Sequence, residues 1–376
     1  MKTIKTADLK DGMQFDKPVY VDGENVFVPP RIPIRQKDID RLVRWEIPEV
    51  RTDGELIQAK SEASKAAAEK EALWEQPKDK KVLGEYTSIL DECGNIFAAL
   101  SDGRDMEHEA VDALIARILE LVRQSRSEVV QLVLMGEKSE NKAVASAVNT
   151  TILSAIIGMG LKYTGHKLNQ LATGALLHDV GMLKVPAEIL SKKEKLNGDE
   201  LNQIKTHPIH SYRVVSKTLK YPEDIGLIAL QHHERWDGQG YPRRLKGDDI
   251  SAMARIVTVA DAYIAMVNER PYRNSVIGYN AMKTLLSDNG RHFDPKILKA
   301  FLESMGIYPI GSVVQLNNSS IGRVVETHME APLRPVLELI VDEYGNKIAE
   351  RETLDLQTKK GLFIVKAVDP KVVARG

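Results

Sequence analysis

Cysteine is nearly missing from this chain. Cys93 is the only one in 376 residues, so no intrachain disulfide can form and a reducing compartment is expected. The thiol itself reads as a small buried hydrophobe. An excess of charge is missing too. The chain has 52 Lys+Arg against 53 Asp+Glu, a formal net charge of −1, which argues against a protein that coats a nucleic-acid polymer. The N-terminal Met1-Lys2-Thr3-Ile4 lacks the apolar core of a signal peptide. No run reads as long and apolar enough to span a bilayer; Ile152 to Met159 comes nearest. A cytoplasmic chain with no membrane partner is the expectation. What is present is an apolar fraction of 43%, enough for real cores, in a chain long enough for two or three of them.

The pattern divides into four stretches. Residues 1–54 read as a small mixed α/β module for docking or regulation. In it Val19-Tyr20-Val21 and Val26-Phe27-Val28 flank Asp22-Gly23-Glu24-Asn25 as a hairpin, and Ile39, Leu42 and Val43 share helical spacing. Residues 55–84 are rich in Ala, Glu and Lys and read as an exposed, charged helical linker. Residues 85–307 read as almost wholly helical, with an amphipathic face of Ile89, Cys93, Ile96 and Phe97 and a dense central segment from Ala143 to Ile157. Residues 308–376 change to β-branched runs, Val313 to Leu316, Ile321 to Thr327, Val336 to Val341 and Leu362 to Val365, a small antiparallel β domain. The fold class expected is therefore multidomain and mainly α, a helical bundle with a mixed domain before it and a β domain after it.

The chemistry concentrates in the helical stretch. His232-His233-Glu234 runs into a Gly-rich turn that ends in Gly240-Tyr241-Pro242. Upstream lie His178-Asp179, His207 and His210, and downstream Asp261 stands between Ala260 and Ala262. Imidazoles and carboxylates together suit a divalent transition metal, and an Asp in an apolar helix is costly unless paired or metal-bound. Taken singly, each histidine has an ordinary reading as a satisfied side chain, and His108, His166, His292 and His328 are left with it. Number changes the balance: His178, Asp179, His207, His232, His233 and Asp261 all fall at or within helical segments of one stretch.

The order His-Asp, His, His-His-Glu-x-x-Asp-Gly-x-Gly-Tyr-Pro, Asp, then Arg270-Pro271-Tyr272-Arg273 resembles the HD-GYP family, HD-superfamily phosphodiesterases that hydrolyse the bacterial second messenger cyclic di-GMP to pGpG or GMP. The resemblance covers roughly Lys142 to Leu302 and implies a helical bundle holding divalent iron or manganese. It implies that Asp179 bridges two metals, that His207, His232 and His233 complete one shell, and that His178 and Asp261 serve the other. Asp179 and His178 would be the catalytic pair. Arg270 and Arg273 match positions that grip phosphate. Gly240, Tyr241 and Pro242 match a loop beside the substrate that also docks diguanylate cyclases.

The sequence departs from that pattern at four places. Ser146, three residues before Asn149, stands where the family has its first metal histidine. Lys142 stands where an acid holds a third metal, and a cation there disfavours one. Met182 replaces the usual lysine after His-Asp-x-Gly, with Lys184 nearby, and Ile264 replaces an aspartate one turn after Asp261. The expectation is a phosphodiesterase with two metals and no third, its second site weakened and its activity reduced or strictly metal-dependent. Glu140 is a neighbouring acid able to help fill that shell. The alternative is a catalytically degenerate receptor for cyclic di-GMP or a protein-docking scaffold.

Overall fold

The computed structural model describes residues 2–10, 13–21, 25–28, 30, 34, 36–45, 47–57, 80–104, 108–135, 141–192, 194–268, 276–328, 330–348 and 352–368. It separates into two compact units, Met1–Glu75 with Ala374–Gly376, and Gln76–Val373.

Among the described residues, the first unit has a four-stranded antiparallel sheet and one α-helix. The strands β1 (Lys2–Lys5), β3 (Val19–Tyr20), β4 (Val26–Val28) and β5 (Glu49–Thr52) lie in the order β1-β5-β3-β4, and β2 (Gln14–Phe15) pairs with β6 (Leu56–Ile57). The expected hairpin is present as the β3–β4 pair, with Val19 opposite Val28; the turn residues 22–24 lie outside the described residues. Helix α1 (Gln36–Arg44) places Ile39 and Leu42 in a core with Val19, Val28, Ile34 and Val50. Val43, expected on the same face, is instead 64% exposed, because successive residues of a helix are a hundred degrees apart and only the Ile39/Leu42 edge meets the sheet. Of the linker expected over residues 55–84, residues 58–79 lie outside the described residues, whereas Leu56–Ile57 form β6 and Lys80 opens a helix.

The second unit is built around α5 (Lys142–Gly160), counted after α2 (Lys80–Ser101), α3 (Glu109–Gln124) and α4 (Arg126–Met135). The Asn141 side chain caps α5 by accepting from the Val144 amide at 3.2 Å. From Ala147 to Gly158 the helix is buried all round, as expected for a helix with apolar residues on every face. It is also the one described helix long and apolar enough to cross a membrane by length and composition, with mean hydropathy 1.5, which the sequence reading missed by looking only at Ile152 to Met159. Here 72% of that window is buried inside the protein, so it serves as the centre of a bundle. Cys93 is fully buried in the same core, and burial pushes its thiol up to about 12.

Against α5 pack α6 (Gly165–Leu177) and α11 (Ala252–Asn268), with α10 (Glu223–Gln231) against α6. Close approach of α6 to α10 needs Gly174, where an added Cβ would sit 2.4 Å from Ile228 Cδ1. The remaining helices are α7 (Ala187–Leu190), α8 (Gly198–Ile204), α9 (His207–Arg213), α12 (Val276–Ser287) and α13 (Pro295–Met305).

A five-stranded antiparallel sheet closes the unit, with β7 (Val313–Leu316), β8 (Ile321–Glu326), β9 (Val336–Val341), β10 (Thr353–Asp355) and β11 (Ile364–Ala367) in the order β10-β9-β8-β7-β11. Val314, Leu316, Val324 and Leu337 form its core with Tyr308, whose ring stacks on Tyr279 of α12 at 5.2 Å. Edge strand β10 was not foreseen: three residues, Thr-Leu-Asp, are too few to show an alternation. The mainly α architecture with small sheets at both ends is as the sequence led us to expect.

Candidate metal centre

Three histidines meet because three helical segments end at the same place. His178 follows the last residue of α6, His207 opens α9 three residues after α8 ends, and His232 follows the last residue of α10. Each spends its Nδ1 in the same way. His178 Nδ1 is 2.7 Å from Ala175 O, His207 Nδ1 is 2.7 Å from Ile204 O, and His232 Nδ1 is 2.8 Å from Ala229 O. A carbonyl only accepts, so each Nδ1 carries the proton and donates. That satisfies a helix-end carbonyl and turns each Nε2 inward, the arrangement that orients a ligating histidine.

The inward atoms converge on Asp179. Its Oδ1 lies 3.1 Å from His207 Nε2 and 3.4 Å from His232 Nε2, while Oδ2 lies 3.6 Å from His178 Nε2. His178 Nε2 is also 3.5 Å from Asp261 Oδ1. Asp179, His207, His232 and His233 each offer a donor atom within 4.8 Å of the other three. Donors about 2.1 Å from one ion stand roughly 3 to 4 Å apart, so the separations among Asp179, His207 and His232 already fit one.

Two features show that the cluster is a poor hydrogen-bond network and a good cage. Asp179 Oδ1 and His178 Nε2 are buried with no hydrogen-bond partner; the close Nε2 atoms are not aligned as donors. In addition, His207 Nε2 and His232 Nε2 face each other at 3.2 Å. With both Nδ1 atoms protonated, two lone pairs that close require a proton or a cation between them. A proton is disfavoured at His232, which burial and the neighbouring His178 and His207 push below the ordinary imidazole range despite Asp179. His233 lies well below that range for the same reasons. The site therefore fits a divalent metal, and its nitrogen and oxygen donors suit iron, manganese or zinc.

The electrostatics are lopsided. Burial would raise Asp179, but the imidazoles of His178, His207 and His232 outweigh it and hold its carboxyl well below the usual range. Burial would lower His178, but Asp179 and Asp261 hold it up to about 9. The side chains of His178, His207 and His232 are at most 3% exposed, whereas Asp179 is 38% and Asp261 19% exposed. The cage is closed at these three imidazoles and open on the carboxylate side.

Glu234, which follows the histidine pair, is not one of the inward acids. Glu234 is buried and points into the following loop, where its Oε1 accepts from the Arg243 amide at 2.7 Å and its Oε2 from the Leu245 amide at 3.0 Å. Gln231 does the same for the Ser251 amide at 2.7 Å. Thr258 Oγ1 lies 2.8 Å from His232 O, which ties the helix bearing Asp261 to the His232 turn. None of these positioning residues has a sequence signature apart from its nearness to the motif. Gly240 is obligatory because a Cβ there would lie 2.4 Å from the Arg235 amide nitrogen and 2.6 Å from His233 O. That close approach lays the Tyr241 ring on His233, stacked at 4.8 Å and 25°. Gly181 has a similar reason, since its Cβ would fall 2.2 Å from His207 O.

Against known families, residues 115–297 match the HD domain, and residues 313–376 match a KOW domain associated with HD domain. The first of these stretches is similar to the HD domain. Curated proteins named as cyclic-dinucleotide phosphodiesterases are similar to the chain as well. Cyclic di-GMP phosphodiesterase PdeB of Borreliella burgdorferi is 33% identical over 220 residues, 58% of this chain and 58% of that protein. Cyclic di-GMP phosphodiesterase PA4108 of Pseudomonas aeruginosa is 34% identical over 181 residues, 48% of this chain and 44% of that one. The 3'3'-cGAMP-specific phosphodiesterase 2 of Vibrio cholerae is 36% identical over 128 residues, 34% of this chain and 24% of that one. The chain thus spans about half the length of the first curated relatives it matches.

The HD domain brings together His178, Asp179, His207, His232, His233 and Asp261, with Tyr241 against them. Arg270, Arg273 and Glu140 lie outside the described residues. Ser146 is half-buried on α5 and Lys142 is exposed at its first turn. Asn149, in the turn after Ser146, is buried and accepts from the Tyr86 hydroxyl at 2.7 Å. Ile264 is fully buried in the apolar core, so an acid there would be costly. His210, named with the cluster at first sight, is pushed down by burial and by Arg213 and is not among the four mutually close ligands.

Proposed function

We propose that this chain is a metal-dependent phosphodiesterase that hydrolyses cyclic di-GMP, to pGpG or GMP, in cytoplasmic second-messenger signalling. The observation that carries this is the Asp179 carboxylate, whose Oδ1 is buried without a hydrogen-bond partner among inward-facing imidazoles. The names of the relatives point the same way.

Asp179, His207, His232 and His233 would hold one iron or manganese ion. The other face of the Asp179 carboxylate, with His178 and Asp261, would hold a second, more weakly in the absence of a histidine at Ser146. Divalent metals at such a site supply Lewis-acid polarisation of the phosphoryl group and an acidified water. The protein's own part is positional. The histidine Nδ1 bonds fix the cage, Asp179 spans its two halves, and Tyr241 forms a wall against His233. Arg270 and Arg273 are assigned to the phosphate oxygens. The partly exposed Tyr241 and Pro242 would offer the surface for a diguanylate cyclase.

The test is hydrolysis of cyclic di-GMP and of 3'3'-cGAMP by the full chain loaded with Mn²⁺ or Fe²⁺ under reducing conditions, with metal counted on the same sample. Turnover that vanishes in Asp179→Asn supports the reading. Metal-replete protein that cleaves neither substrate yet binds one of them would establish the receptor alternative in its place.

A further inference from the structure

The geometry points to Lys205 as a phosphate-binding residue beside the metal cage, on the Tyr241 side. This rests on the phosphodiesterase reading above and deepens it.

Lys205 stands two residues before His207, in the short turn whose Ile204 carbonyl accepts from His207 Nδ1. Its backbone is therefore tied to the cage. Its Nζ lies 5.6 Å from the centre of the Tyr241 ring, the ring that stacks on His233 at 4.8 Å. Tyr241 also lies near His207, with ring centres 6.5 Å apart. The ammonium, the aromatic ring and the cage thus form one continuous wall on the Tyr241 side. Among the described residues no carboxylate lies within ion-pair distance of Lys205 Nζ. Lys192, just upstream, is by contrast held by both oxygens of Glu200. An exposed lysine with no ion-pair partner among the described residues, resting on an aromatic face beside a cage open on its carboxylate side, has its donors free for an anion. The natural occupant is a phosphodiester oxygen of the bound substrate.

The experiment compares wild type with Lys205→Ala, Lys205→Arg and Lys299→Ala, the last removing one exposed charge from α13, all metal-loaded. Calorimetric titration with cyclic di-GMP is the primary readout, with kcat and KM where turnover occurs. Loss of a charge-assisted bond should weaken affinity by about tenfold or more in Lys205→Ala. It should raise KM by a similar factor with kcat within about twofold, because the contact is made equally in ground and transition states. Lys205→Arg should recover most of the loss, and Lys299→Ala should match wild type. Bound metal should be the same in all four. An unchanged Kd in Lys205→Ala overturns the assignment, and so does a loss of bound metal, a loss in Lys299→Ala of the same size, or a wild type that does not bind. A wild type that binds without cleaving overturns the phosphodiesterase reading alone, since the Kd ratio still reports on Lys205.

Discussion

Glu234 gives the sharpest check on this account, because its position in His-His-Glu invites a ligand role that the structure denies it. Its carboxylate accepts from two backbone amides, Arg243 N at 2.7 Å and Leu245 N at 3.0 Å, and is 1% exposed. A hydrogen bond to a charged group contributes about 1.5–3 kcal/mol. Glu234→Ala removes two and orphans both amides. The exposed Arg243 segment lets water recover part of the loss, so a net cost of about 2–4 kcal/mol follows. For a cooperative unit of this size that is a fall in Tm of roughly 5–15 °C. Glu234→Gln keeps one acceptor and should lose about half as much. Thermal unfolding by circular dichroism reads both, and metal analysis on the folded variants reads the other side. Metal per chain should stay near wild type at low temperature. Collapse of the metal count with an unchanged Tm would show that Glu234 is a ligand and that the reading of this loop is wrong.

Two further outcomes follow from the cage. In metal-free protein His178 is held up at about 9, above an ordinary imidazole near 6.5. A raised folded pKa stabilises fully below the unfolded value and the benefit disappears as pH rises through the folded one. Chelator-treated protein should therefore lose stability between about pH 6.5 and 9, by at most about 3 kcal/mol. Metal-loaded protein, whose His178 cannot carry that proton, should show a flatter profile in denaturant titrations across the same range; identical slopes for the two forms would contradict this. At Gly181 the added methyl of Gly181→Ala would lie 2.2 Å from His207 O and 2.5 Å from the Ser211 amide, so His207 must shift. Metal affinity should fall at least tenfold, consistent with ligand displacement of the order of an ångström, and equilibrium dialysis against Mn²⁺ that shows no change would refute it.

The sequence alone determined a good deal. Period-2 runs of Val and Ile marked the C-terminal sheet, and the uninterrupted apolar stretch from Ala143 marked the central helix, because these patterns follow from local geometry. The candidate ligands were legible as residue types, and His178, Asp179, His207, His232 and His233 do come together. The tertiary structure alone decided which acids face inward. Asp179 and Asp261 do and Glu234 does not, since side-chain direction at a helix end depends on which amides the neighbouring loop offers. It also decided the imidazole tautomers, because the carbonyls at Ala175, Ile204 and Ala229 become acceptors only once the helices have ended. Lys205 and Thr258 owe their importance to what lies across from them in space, Tyr241 and His232, and spacing along the chain carries no trace of that.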